Sequence, residues 1–328
     1  MANNIYVGVN GIARNTTTMY VGSDDGVAKK TKKMYMGVEG VARCIFSGGE
    51  LSYYGKATNL NVVRSDLAAT TVGNYALFGG GGNSSTYCTT VDAYDTNLTR
   101  TSRDGLSQKR HRLAATTVGN YALFGGGYYQ PYYCNTVDAY DTSLTRTTPT
   151  SLDGKKYRLA ATSVGDYALF GGGYNGSACY SVVDTYNTKL TKTTSTSLSK
   201  ARYNLAATSV GDYALFGGGY NNGEGYATVD AYNKSLTITT PTDLRYATSG
   251  LVATSVGNYA LFGGGTTGST HYATVDVYDT SLTKTLATDM SQARSQLAAT
   301  SVGNYALFGG GMYTSSGYSS TVDVYQVA

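Results

Sequence analysis

A chain of 328 residues with 42 Gly, 32 Tyr, 3 Pro, no Trp and only 14% charged residues is poor in helix formers and rich in strand and turn formers. Its formal net charge of +4 comes from scattered Lys and Arg, which argues against the basic stripe of a nucleic-acid binder. It contains no apolar run long enough to insert in a membrane, and Met1–Tyr6 lacks the basic and apolar regions of a secretion leader.

The first segment, residues 1–48, repeats a short unit three times. Tyr6-Val7-Gly8-Val9-Asn10-Gly11-Ile12-Ala13-Arg14 returns from Tyr20 to Lys29, and again as Tyr35-Met36-Gly37-Val38-Glu39-Gly40-Val41-Ala42-Arg43. Each unit alternates around a Gly-bearing turn and predicts a small β-hairpin. Hairpins of this size bury little apolar surface and gain stability on a partner or in an oligomer, so a homo-oligomer is one option. The pattern resembles Tyr-Val-Gly-Val-x-Gly-Val-Ala-Arg segments near the start of tail-associated proteins of bacteriophages and prophages of Gram-positive hosts. That resemblance implies a docking module that binds other virion proteins, and a virion location.

From residue 52 onward a second repeat takes over. Leu67-Ala68-Ala69-Thr70-Thr71-Val72-Gly73-Asn74-Tyr75-Ala76-Leu77-Phe78-Gly79-Gly80-Gly81 recurs from Leu113, Leu159, Leu205, Leu251 and Leu297, always 46 residues apart. A strand-rich period of this length predicts an all-β fold, a six-bladed β-propeller spanning 52–328. Each repeat divides into four strands. Strand a (Leu-Ala-Ala-Thr-Thr/Ser-Val) has small residues suited to the axis. A Gly-Asn/Asp turn leads to strand b (Tyr-Ala-Leu-Phe), which ends in glycines needing positive φ or close approach. Strand c carries Val-Asp-x-Tyr, and a side-chain-bonded turn leads to strand d. The sixth copy lacks strand d, and residues 52–66 match the missing piece in phase: Leu60 aligns with Leu106 and Arg64 with Arg110. Tyr53–Leu60 is therefore expected to close the last blade as its outer strand.

These features resemble a kelch-type propeller. The carriers are the glycine run (Gly79-Gly80, Gly125-Gly126), the strand-c Tyr (Tyr94, Tyr140, Tyr186, Tyr232, Tyr278, Tyr325) and the basic residue before strand a (Arg64, Arg110, Lys156, Arg202, Arg294). The outer-strand Trp usual in that family is absent, and blade five has Thr248 in the basic position.

Comparison of the six copies locates the variation. Strands a and b are near-identical, whereas the b–c loops hold their length and change composition, with Tyr, Asn, Ser and Gly prominent. Candidate ligand-binding residues in these loops begin with the blade-two cluster Tyr128, Tyr129, Tyr132 and Tyr133. Blades three and four add Tyr174, Tyr220 and Tyr226, and blades five and six add His271, Tyr272, Tyr313 and Tyr318. The d–a loops share that face by chain direction and contribute Arg110, Arg158, Arg202 and Arg294, although the repeated Arg before strand a also reads as a structural tie between blades. The opposite face carries the constant Gly-Asn/Asp turns. One variable face on a constant frame predicts a binding protein, with a cell-surface glycan or protein as partner: Tyr would stack on sugar rings while Arg, Asn and Ser bond hydroxyls.

Catalytic signals are weak. The two His, His111 and His271, fall on opposite blades, and no His-paired Ser or Cys pattern occurs. Cys44, Cys88, Cys134 and Cys179 form no Cys-x-x-Cys pair and are expected as free thiols, so neither metal nor cofactor is implied. Glu224 is the one acidic residue of a b–c loop, which keeps a cofactor-free sugar isomerase or mutarotase-like enzyme as the alternative beside a protein–protein scaffold.

Overall fold

The computed structural model describes residues 57–83, 85–314 and 316–327 in full, together with the backbone of short strands between 5 and 47. The chain divides into two compact units, 1–56 and 57–328. In the first, three antiparallel hairpins form as the repeats predict: Ile5–Val9 with Ile12–Thr16, Tyr20–Gly22 with Ala28–Lys30, and Lys33–Val38 with Val41–Ser47.

The second unit is a six-bladed β-propeller. In blade one, strand a (Ala68–Val72), b (Tyr75–Gly79), c (Val91–Tyr94) and d (Arg100–Arg103) pair antiparallel in that order. Blades two to five repeat the arrangement, and strand a of each adjoins strand a of the next, which places the small Ala and Thr residues along the axis. The described part of blade six has strands Ala298–Val302, Tyr305–Gly309 and Val322–Gln326. Of the segment expected to complete it, Tyr53–Lys56 lies outside the described residues, and Ala57–Leu60 is irregular, with the Thr58 carbonyl accepting from the Tyr94 hydroxyl at 2.6 Å.

Three recurring contacts hold the blades. First, strand b ends in a glycine because the Phe of the next blade occupies the space where a side chain would begin. A Cβ on Gly79 would lie 2.7 Å from the Phe124 ring, and Gly125 meets Phe170 in the same way. The two glycines that follow, at φ +68° and +95° for Gly80 and Gly81, turn the chain away from the sheet. Second, the strand-c Tyr packs edge-on against the strand-b Phe, as in Phe124–Tyr140 at 6.0 Å, and its hydroxyl reaches back to the preceding blade, Tyr140 to the Asp104 carbonyl at 2.8 Å.

Third, each strand-c Asp is a hub, buried in blades one to five and partly exposed in blade six. Asp138 accepts from Arg110 at 2.6 Å, from the Ser107 amide at 3.0 Å and from Arg146 at 3.2 Å, while Arg110 also donates to the Phe124 carbonyl. Arg202–Asp230, Lys156–Asp184 and Arg294–Asp323 repeat the pair. Blade five lacks the basic residue at Thr248, and there Lys284 from strand d approaches Asp276 at 2.8 Å while the Arg245 amide donates to it.

These hubs correct part of the expected site. Arg110, Arg202 and Arg294 are fully buried, each bonded to a carboxylate inside its own blade. A guanidinium sealed from water and paired with a buried Asp is structural and is not offered to a ligand.

Candidate functional site: the variable face

Each b–c loop is a small hairpin standing on the propeller face. Tyr128–Tyr129 pairs with Tyr132–Tyr133, Tyr220–Asn221 with Glu224–Gly225, and Thr266–Thr267 with Thr270–His271, while single bridges Gly82–Tyr87, Tyr174–Cys179 and Met312–Tyr318 do the same in the other blades. The residue just before the mouth of the central channel pairs with the base of the hairpin. His111 exchanges amide bonds with Tyr128, Tyr157 with Tyr174, and Tyr203 with Tyr220. This pairing fixes the base of each loop and explains why length is nearly constant while composition varies.

Cross-strand alternation sorts the blade-two tyrosines. Tyr128 and Tyr133 form one pair, with ring centroids 5.1 Å apart, and both rings lean on Tyr157 of blade three. Tyr129 and Tyr132 form the other pair at 5.3 Å, with the Lys109 ammonium 5.7 Å over Tyr129. The first pair belongs to a continuous aromatic arc. It runs from Tyr87 to His111 (4.8 Å), Tyr128 (5.6 Å) and Tyr157 (5.4 Å), then to Tyr174 (6.1 Å), Tyr203 (5.1 Å) and Tyr220 (5.7 Å). The arc covers blades one to four. At the equivalent inner positions blades five and six carry Ser249, Thr266, Ser295 and Met312, so the face is aromatic on one side of the channel and mostly polar on the other.

A cleft of about 420 Å³ opens along the arc between the hairpins of blades three and four, lined by Tyr174, Tyr203, Tyr220, Cys179, Asn221 and Asn222. Burial pushes the Tyr203 hydroxyl and the Cys179 thiol upward, so both stay protonated near neutrality. Burial, with Tyr157 and Tyr128 adding, likewise raises the Tyr133 hydroxyl.

At the centre, a second cavity of about 280 Å³ marks the channel mouth. It is ringed by Asp66, Arg112, Arg158, Asn204, Gly250 and Gln296, one from each blade. Their amides and carbonyls form a chain of bonds round the mouth: Arg112 to Asp66, Arg158 to Arg112, Asn204 to Arg158, Gly250 to Asn204 and Gln296 to Gly250. All six have φ between +52° and +63°, yet only Gly250 is a glycine. Asp66 accepts from Arg112 at 3.1 Å and faces the His111 ring at 3.3 Å. The hydrogen bond to His111, helped by Arg112, holds the Asp66 carboxyl below its ordinary 3.8.

The remaining expected residues are dispersed. Tyr272 packs on Tyr246 at 4.5 Å, outside the arc. Tyr226 and His271 are half-buried in blades four and five, and Tyr313 and Tyr318 are exposed in blade six. Tyr128, Tyr133, Tyr174 and Tyr220 fall on the arc, and Arg158 at the mouth. Sequence reasoning missed Tyr157 and Tyr203, and the mouth residues Asp66, Arg112, Asn204 and Gln296. Their signal was available: the two positions before strand a vary from copy to copy (Ser-Asp, His-Arg, Tyr-Arg, Tyr-Asn, Ser-Gly, Ser-Gln) beside a near-constant Leu. Among the described residues no group of three or more His, Cys, Asp and Glu is placed to hold a metal ion, and no helix is long and apolar enough to cross a membrane.

No protein-family model matches the chain, and no curated protein matches it.

Proposed function

We propose that this protein is a bacteriophage or prophage virion-associated binding protein, a tail fibre or other adhesin, whose variable face binds a cell-surface glycan. The observation that carries the reading is the aromatic arc from Tyr87 to Tyr220 with its cleft at Tyr174, Tyr203 and Tyr220. Tyr presents a broad apolar face and a polar hydroxyl, which matches the apolar face and hydroxyl rim of a pyranose. The constant sheet frame with a varied loop face is the arrangement of a binding scaffold rather than of a single catalytic centre. The kelch-type resemblance of the repeats supports the same architecture. The resemblance of Tyr6–Arg14 and its copies to phage tail-associated segments supports attachment to a virion through residues 1–48.

Two measurements test the reading. Purified protein on an array of bacterial-envelope glycans is expected to bind a subset, and the Tyr174→Ala/Tyr203→Ala double variant to lose that binding. Deleting residues 1–48 is expected to leave glycan binding intact and to abolish incorporation into virions. Incorporation of the deleted chain at the wild-type level would contradict the virion role assigned to that segment.

A further inference from the structure

The inference rests on the glycan reading and narrows it. We infer that the ligand is an acidic glycan, whose anionic group, carboxylate or phosphate, sits at the channel mouth on Arg158 while an adjoining sugar ring lies on Tyr203 and Tyr174. Arg158 differs from every buried Arg of the blades. Its guanidinium lies 5.5 Å from the Tyr157 ring and 5.9 Å from the Tyr203 ring, and among the described residues it makes neither an ion pair nor a hydrogen bond. Five donors of a fixed fork are therefore left facing a cavity. Its neighbour Arg112 is matched by Asp66 at 3.1 Å, so the mouth holds two guanidinium groups against one carboxylate. Burial and the charge of Arg112 both work against the cationic form of Arg158. An anion at the mouth would relieve both.

Backbone strain points to the same place. Arg158 is held at φ +55°, a conformation that disfavours any side chain, and so are Asp66, Arg112, Asn204 and Gln296. Positive φ also recurs at Leu98, Leu144, Leu190, Leu236 and Leu282, but there the residue never changes, as expected of a structural turn. At the mouth the backbone strain is kept while the side chain changes, and five of the six positions carry hydrogen-bonding groups that glycine, the unstrained choice, would lack. Tyr203 joins the two halves of the site: it lies beside Arg158 and lines the cleft with Tyr174. A polyanionic peptide would also meet the charge at the mouth, but an arc of stacked Tyr beside a cleft favours sugar rings.

The test uses the full chain and two matched pairs: tetragalacturonate against its methyl ester, and mannotetraose with against without a terminal phosphate. Titration calorimetry is expected to show the charged member of at least one pair binding about tenfold or more tighter than its neutral partner, the range of a charge-assisted bidentate contact. The pair that responds distinguishes carboxylate from phosphate. In Arg158→Gln that preference collapses towards unity while the affinity for the neutral member is kept. Arg158→Lys, which retains charge without the fork, keeps part of the preference and controls for folding. Equal affinity for charged and neutral sugars, or a preference that survives Arg158→Gln, overturns the acidic assignment and leaves glycan binding standing. Silence from all four together with a silent neutral-glycan array removes the glycan reading itself. Tight binding of a Glu-rich peptide with the sugars silent overturns the proposal in favour of an acidic protein partner.

Discussion

Arg110 lies on Asp138 inside blade two, sealed from water, whereas Arg158 stands at the channel mouth with its donors unfilled. Environment alone separates their roles. Replacing Asp138 with Asn leaves Arg110 buried against a neutral partner, and the expected loss is about 3–5 kcal/mol in urea unfolding, with little change in the arc. Gly176 makes a second residue-level prediction. It sits at φ +90°, and a Cβ there would fall 2.1 Å from the Tyr133 hydroxyl. Gly176→Ala must therefore displace Tyr133, lowering stability by about 1–2 kcal/mol and weakening ligand binding, both readable in one titration series. Asp66 adds a pH dependence. Its folded value lies below the unfolded one, so it stabilises the fold above the unfolded value, and that contribution is lost as pH falls through the folded value. Asp66→Asn is expected to melt earlier than the parent protein near neutrality, with the difference closing in acid below 3.8. A gap that persists unchanged there would show that the carboxylate charge is not the source.

Strands, turns and blade count were legible in the sequence because the repeat states them six times. Val-Asp-x-Tyr, Tyr-Ala-Leu-Phe and the glycine run each became the element expected of them. The site was only half legible. Composition pointed to the b–c loops, but the pairing of each loop with the residue before strand a is a contact between segments 17 residues apart, as in His111 with Tyr128. That pairing brings Tyr157 and Tyr203 into the arc, and nothing in the loop sequences alone announces it. The repeated Arg column carried two readings, a structural tie and a ligand contact, and the structure selects the tie: the side chain turns inward to a strand-c Asp two strands away. Tyr128→Ala and Tyr129→Ala separate the two sides of one hairpin. The first interrupts the arc and is expected to weaken glycan binding about tenfold, whereas the second removes a ring from the outer pair and leaves affinity within about twofold.

Across the whole propeller, each blade inserts its Phe beside the terminal strand-b glycine of the blade before it, from Gly79–Phe124 to Gly263–Phe308. The sixth glycine, Gly309, meets only Val322 of its own blade among the described residues. On the same blade Val322 is 52% exposed and Val324 48%, whereas their counterparts Val137 and Ala139 are fully buried. Val137 and Ala139 are covered by Ala168 and Phe170 of the following blade, so the 46-residue frame predicts that this face is covered in the folded protein by their counterparts Ala76 and Phe78 of blade one. Val324→Asp is then expected to cost about 2–4 kcal/mol, as for a charge placed in a closed sheet interface, and an unchanged melting temperature would mean that blade six ends the array open to solvent. The function assigned to the molecule depends less on that edge than on the opposite side of the ring, where the arc and Arg158 meet. The most direct test is the affinity of one array-identified envelope glycan for the parent protein and for Tyr174→Ala/Tyr203→Ala, with melting followed in parallel. A loss of about tenfold or more at unchanged melting temperature is the predicted result; undiminished affinity in the double variant would contradict the assignment of the aromatic arc as the binding site.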